Sequence, residues 1–185
     1  MNPAASITSE QYDEVINHCR DIFSKKISDY GTSWRVLRPS SLTDQIYIKA
    51  QRIRTIEQAR ERKVSDTVED EFMGIINYAI IALIQIELEN NSNIHLAEDE
   101  ALKLYNSHIS VVKGLMEAKN HDYGEAWRSM RTSSFTDLIL VKLLRIKQIE
   151  ENDGQTLISE GVASHYMDMI NYSVFALIQM KEQAQ

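Results

Sequence analysis

Apolar residues recur at helical spacing along nearly the whole chain, and the pattern runs through twice. From Glu10 to Ser28, and again from Glu98 to Asn120, they return every three or four positions, the signature of an amphipathic helix. A second helix is expected to start at Ser41-Leu42-Thr43-Asp44 and again at Ser134-Phe135-Thr136-Asp137, where a hydroxyl is followed three residues later by an acid. A third, from Thr67 to Leu88 and from Leu157 to Lys181, is apolar almost all round, which marks a buried central helix. Thr8 and Gln11 have the spacing of a capping box for the first helix. Only two prolines and six glycines interrupt the chain, so long helices are favoured. The fold class expected is all-α.

The two passes are copies of one unit. At an offset of 93, 16 of the 29 positions from Asp29 to Glu57 are identical to those from Asp122 to Glu150, and Tyr12, Ile16 and Lys26 match Tyr105, Ile109 and Lys119. At an offset of 94, 8 of the 14 positions from Phe72 to Gln85 are identical to those from Tyr166 to Gln179, so one residue was gained or lost between the second and third helices. Self-similarity at fixed spacing defines the architecture before any other feature does. The units span residues 1–92 and 93–185, with Asn90 to Asn93 as the linker. Because a three-helix unit cannot easily cover an all-round apolar helix alone, the two third helices are expected to pack near a pseudo-twofold axis in one fused six-helix body.

Composition narrows the function classes. The net charge of −7 and the absence of a basic stripe argue against duplex nucleic acid and anionic membrane as partners. The stretch from Phe72 to Leu88 is shorter than the roughly 20 apolar residues of a membrane span and carries Asn77, Gln85 and Glu87. The N-terminus has no basic run followed by an apolar run, so no secretory signal is read there. The single cysteine, Cys19, lies in a helical pattern and reads as a packed thiol; with the rest this fits a cytoplasmic protein. A homodimer is compatible with all of it.

The polar residues kept in both units are the candidates for chemistry. Lys49 falls inside the apolar stripe of helix two (Leu42, Ile46, Ala50, Ile53, Ile56), and Lys142 falls likewise among Phe135, Ile139, Ile146 and Ile149. An ammonium on an inward face requires an anion. That anion is either an internal carboxylate, such as Glu57 or Asp29, or a ligand phosphate. The loop before helix two reads Asp-Tyr-Gly-x-x-Trp-Arg-x-x-Arg: Tyr30, Gly31, Trp34, Arg35 and Arg38, then Tyr123, Gly124, Trp127, Arg128 and Arg131. Guanidinium forks suit phosphate and aromatic rings stack on bases, so these loops, with Arg52 and Arg145 on helix two, could hold a small phosphorylated ligand. The alternative is a rigid loop with Trp34 and Trp127 in the core and its arginines bridged to Asp44 and Asp137. For Mg²⁺, the candidates are Glu71, Glu150 and Asp168, with Glu71 and Asp168 brought together across the pseudo-twofold. Otherwise Asn77 and Asn171 are satisfied core residues and His165 a surface group.

These motifs (the Asp-Tyr-Gly-x-x-Trp-Arg loop, the Thr-Asp…Lys-x-x-Arg-Ile helix and the Ile-Asn-Tyr-x-x-x-Ala-Leu-Ile helix) resemble the nucleotide-modification-associated domain of type one, in tandem duplicate. The resemblance implies that Tyr30, Gly31, Trp34, Arg35, Lys49, Arg52 and Asn77, with their second-unit partners, are the motif residues. More loosely, the helical architecture is similar to the MazG-type all-α nucleoside triphosphate pyrophosphohydrolases, which implies paired acids on two helices holding Mg²⁺. Here Gly74 and His165 stand where such acids would be wanted, and helix two carries Lys49 and Arg52 in place of a glutamate pair. Two functions follow: binding of a nucleotide or other phosphorylated ligand, with a divergent pyrophosphohydrolase as its catalytic form, or a non-catalytic scaffold whose shared polar residues are internal salt bridges.

Overall fold

The computed structural model describes residues 3–59, 65–155 and 161–184. They form six α-helices and no strand: α1 (Pro3–Tyr30), α2 (Pro39–Ala59) and α3 (Val68–Glu87) from the first unit, then α4 (Glu98–Tyr123), α5 (Thr132–Glu151) and α6 (Val162–Gln183). A single 3-10 turn precedes α2 and another precedes α5. None of these helices is long and apolar enough to cross a membrane.

Helix ends depart from the sequence expectation in informative ways. Thr67 caps α3 as expected of a hydroxyl with an acid three residues on: its side chain accepts from the Asp70 amide, and the Asp70 carboxylate accepts from the Thr67 amide at 2.7 Å. Thr8 and Gln11 do not cap α1, which starts at Pro3; they lie inside the helix and both meet Arg128. Nor do Ser41 and Ser134 begin α2 and α5, which start at Pro39 and Thr132. Asp44 and Asp137 instead reach across the molecule, to Lys147 at 2.8 Å and to Arg54 at 3.9 Å. The stretch from Leu157 expected to open the sixth helix lies partly outside the described residues; α6 begins at Val162.

One core runs through both units. The apolar third helices α3 and α6 pack on each other at its centre, with Phe72, Ile75, Ile76, Ala79, Ile80, Met169, Ile170, Val174 and Ala176 wholly buried. Polar contacts between the units come in reciprocal pairs, as a pseudo-twofold axis requires. Thr43 at the start of α2 donates to Glu150 at the end of α5, and Thr136 at the start of α5 donates to Glu57 at the end of α2, both at 3.0 Å. The two helices are therefore antiparallel. So are α1 and α4, where Asp13 pairs with Lys113 and Arg20 bonds Asn106. Asn171, buried, and Asn77, half-buried, are both satisfied by hydrogen bonds inside the protein. The Tyr105 hydroxyl of α4 donates to Asn77 at 2.9 Å, and the Tyr12 hydroxyl of α1 donates to Asn171 at 3.0 Å. Each asparagine then donates to a carbonyl of its own unit's first helix, that of Cys19 or that of Val112. Cys19 is fully buried, and burial pushes its thiol up to about 12, so it carries no nucleophilic thiolate.

The reciprocal glutamates make a testable claim. Burial raises the pKa of Glu57 and of Glu150 above the ordinary carboxylate value, and the threonine bonds only partly oppose it. A raised acid binds its proton more tightly when folded, so this contribution to stability falls as pH rises through the folded pKa. The double replacement Glu57→Gln/Glu150→Gln keeps an acceptor for each threonine and removes the charge. It is expected to raise the melting temperature at pH 7. That gain should shrink when calorimetry is repeated below the ordinary carboxylate pKa; an equal gain at both pH values contradicts the burial argument.

Candidate functional site

The loop that precedes helix two is rigid for reasons visible in its hydrogen bonds. Gly31 and Gly124 close α1 and α4 in the left-handed region, at φ 61 and 60, where a side chain would be strained. Their amides bond Ile27 and Asn120 carbonyls at 2.7 and 2.9 Å. The chain then makes its 3-10 turn around a shared glutamine of the third helix. Gln85 donates to the carbonyls of Arg35 and Leu37, and Gln179 to those of Trp127 and Met130. The loop arginines are occupied too. Arg35 bonds the Gln85 side chain and the carbonyls of Asn91 and Asn93, tying down the linker. Arg128 bonds Glu125, Glu182, Thr8 and Gln11, and its guanidinium lies 4.4 Å over the Trp127 ring. These two forks hold the protein together. Their partners are not Asp44 and Asp137, the carboxylates first expected. Arg38, Arg131 and Arg145 are exposed, as are Tyr30 and Tyr123.

The inward lysines do find anions, though not the ones nearest in sequence. Lys49 bonds Glu71 of α3 at 3.0 Å, and Arg52 shares the same carboxylate, so neither Glu57 nor Asp29 is the partner. Lys142 bonds Asp168 of α6 at 2.6 Å. The acid sits at non-equivalent positions: Glu71 aligns with His165, while Asp168 aligns with Gly74, one helical turn further along. Asp168 also takes a second lysine, Lys119 of α4, at 2.7 Å. Burial pushes the Asp168 carboxyl up, but the two ammonium groups outweigh it and hold its pKa below the usual range.

That one-turn shift leaves the two units unlike. In the first unit a cavity of about 530 Å³ opens between α1, the loop, the start of α3 and Lys49. Its lining includes Lys26, Tyr30, Gly31, Trp34, Lys49, Asp66, Asp70, Gly74, Asn77 and Ile81. Lys49 lies flat on Gly74: a Cβ there would stand 2.6 Å from the lysine Cε. Lys26, the counterpart of Lys119, is exposed on the cavity and has no ion pair among the described residues. In the second unit the corresponding space holds side chains. Asp168 stands in the place of Gly74, and Phe175 in that of Ile81. The Phe175 ring stacks on Trp127 with centroids 4.3 Å apart and planes 6° from parallel. Trp127 is accordingly buried, while Trp34 is only partly so and leans on Phe23 at 6.3 Å.

Both units carry the same family signature. The profile of the nucleotide modification associated domain 1 matches residues 26–86 and 119–180, two segments that together cover most of the chain. The chain belongs to this family, in tandem duplicate. The matched segments begin at Lys26 and Lys119 and end one residue past the loop-locking Gln85 and Gln179. No curated protein and no solved structure matches the chain.

The Mg²⁺ candidates do not converge. Glu71 is bound by Lys49 and Arg52, Asp168 by Lys119 and Lys142, and Glu150 sits at the α2–α5 contact on Thr43. No group of three or more His, Cys, Asp or Glu among the described residues is placed to hold a metal. The donor set of a metal-dependent pyrophosphohydrolase is not assembled from these residues. His165, expected at the surface, is buried. Sequence reasoning missed Lys26 and Asp70 as cavity residues. The match of Lys26 with Lys119 was the available signal, but both lie on the polar side of a first helix, where a lysine ordinarily faces solvent.

Proposed function

We propose that the first unit binds a small phosphorylated molecule, of the size of a nucleotide, in the cavity between α1 and α3. The supporting observation is the cavity itself. It is of small-molecule size, two lysines reach it from different helices, Tyr30 and Trp34 flank it, and Lys26 has no counter-ion among the described residues. An ammonium at the wall of a cavity supplies a charge-assisted hydrogen bond to an incoming phosphate. Lys49 already has Glu71, so it turns from that carboxylate to the ligand. Asp66 and Asp70, also in the lining, accept from amino or hydroxyl groups of the ligand and disfavour a bare polyanion. Nothing in the lining assigns a bond to be broken, and binding is the function proposed.

The test is thermal denaturation with nucleoside mono-, di- and triphosphates and pyrophosphate, with and without Mg²⁺. A ligand at a hundred times its Kd adds about 2.7 kcal/mol to the folded state. Lys26→Met should keep the melting temperature of the free protein and weaken binding roughly tenfold to a hundredfold, the loss of one charge-assisted hydrogen bond. No stabilisation by any of these compounds at millimolar concentration would sink the reading. A second reading, a non-catalytic scaffold, is favoured by the loop arginines, because Arg35 and Arg128 spend their donors inside the protein. It predicts that Lys26→Met changes nothing measurable.

A further inference from the structure

The second unit differs from the first at two places that bear on the cavity, and each difference adds a group resembling part of a ligand. Where the first unit has Gly74, the second has the Asp168 carboxylate, gripped by Lys119 and Lys142 at 2.7 and 2.6 Å. Lys26 and Lys49, their counterparts, both line the cavity beside Gly74. Where the first unit has Ile81 on the cavity wall, the second has the Phe175 ring, stacked on Trp127. Trp34, the counterpart of Trp127, also lines the cavity. We infer that Asp168 and Phe175 imitate, within the chain, the two ends of the molecule that the first unit binds. Its anionic group takes the place over Gly74 that the flexible end of Lys49 covers in the free protein, so that Lys49 moves aside and meets it together with Lys26, and its flat ring stacks on Trp34 beside Ile81. This rests on the binding function proposed above and specifies its ligand.

The spacing selects the chemical class. Positions 74 and 81 are seven residues apart on α3, two turns on nearly the same face, so the two ends are separated by about 10 Å at 1.5 Å per residue. A nucleoside monophosphate has that reach from phosphate to the far edge of its base. Inorganic phosphate or pyrophosphate is too short to occupy both ends, and a dinucleotide is too long. The second unit is then a site that its own side chains have closed, so one chain offers one working site.

Isothermal titration of the full chain with the 5′-monophosphates of the common nucleosides and deoxynucleosides tests this, with the parent nucleosides and inorganic phosphate as fragments. One equivalent of a monophosphate is expected to bind, at least tenfold more tightly than either fragment. Gly74→Asp and Ile81→Phe each install in the first unit what the second already accommodates; Asp at 74 displaces only the flexible end of Lys49, so both should fold. Each should abolish binding or weaken it more than tenfold. The reverse replacement, Asp168→Gly with Phe175→Ile, should raise the stoichiometry to two; Asp168→Ala alone should do so more weakly if the double variant does not fold. Should a phosphorylated compound bind the parent protein while Gly74→Asp and Ile81→Phe leave it untouched, the imitation is wrong and the cavity function stands. Should the parent bind nothing but the reverse variant gain one equivalent, the first unit's function fails and the closed second site is real. No binding by either protein overturns both.

Discussion

Replacing Glu71 with alanine is expected to cost about 3 kcal/mol of stability, toward the lower end for breaking a buried pair because its partners are a quarter exposed. Glu71 is 5% exposed, and its carboxylate is the shared counter-ion of Lys49 and Arg52. Without it two cations face each other from successive turns of α2, against the apolar wall of α3. For a chain of this length the loss corresponds to a fall in melting temperature of roughly 6–12 °C. If unpaired charge is the cause, adding Lys49→Met to Glu71→Ala should recover part of the loss. A lost side-chain volume would not be repaired that way. A cost below about 1 kcal/mol would place the pair with ordinary surface ion pairs and contradict the argument.

Asn171→Leu should be nearly as damaging, by about 2–3 kcal/mol, for a different reason. The side chain of Asn171 is an acceptor for the Tyr12 hydroxyl and a donor to the Val112 carbonyl, and Tyr12 is completely buried. Burial pushes the Tyr12 phenol well above its ordinary pKa, so it remains a donor at any working pH. Leucine leaves that hydroxyl without an acceptor and away from water. Tyr12→Phe removes the hydroxyl and should cost less. In a double-mutant cycle read by urea denaturation, Tyr12→Phe should rescue part of Asn171→Leu. Strict additivity would show that the two residues do not meet. The corresponding change Asn77→Leu should be milder, since Asn77 is only partly buried.

These two residues also show why the functional reading divides as it does. Most polar residues that both units keep are engaged internally: the asparagines bridge the units, the glutamines fix the loops, Arg35 and Arg128 fasten chain segments, and Arg52 shares Glu71. Identity between the units therefore marks the architecture. The candidate site shows in the differences, Gly74 against Asp168 and Ile81 against Phe175, because a cavity exists only where a side chain has been left out. The departure from an acidic metal motif at Gly74 leaves, in the folded chain, room for the Lys49 side chain to lie across the helix at the cavity wall.

The amphipathic periods, the 93-residue repeat and the all-round apolar third helix determined by themselves that this is a duplicated all-α protein with α3 and α6 at its centre. They did so because hydrophobic burial depends on spacing along the chain, which is local. The inward lysines announced their need for an anion for the same reason, since an apolar stripe is readable residue by residue. Only the tertiary structure decided which anion met each lysine, that Arg35 and Arg128 are fasteners, that Lys26 faces a cavity, and that one unit is open where the other is filled. Those outcomes depend on which helices lie against each other and on the volume left between them. Packing across 20 to 160 residues of separation sets both, and no local pattern carries it.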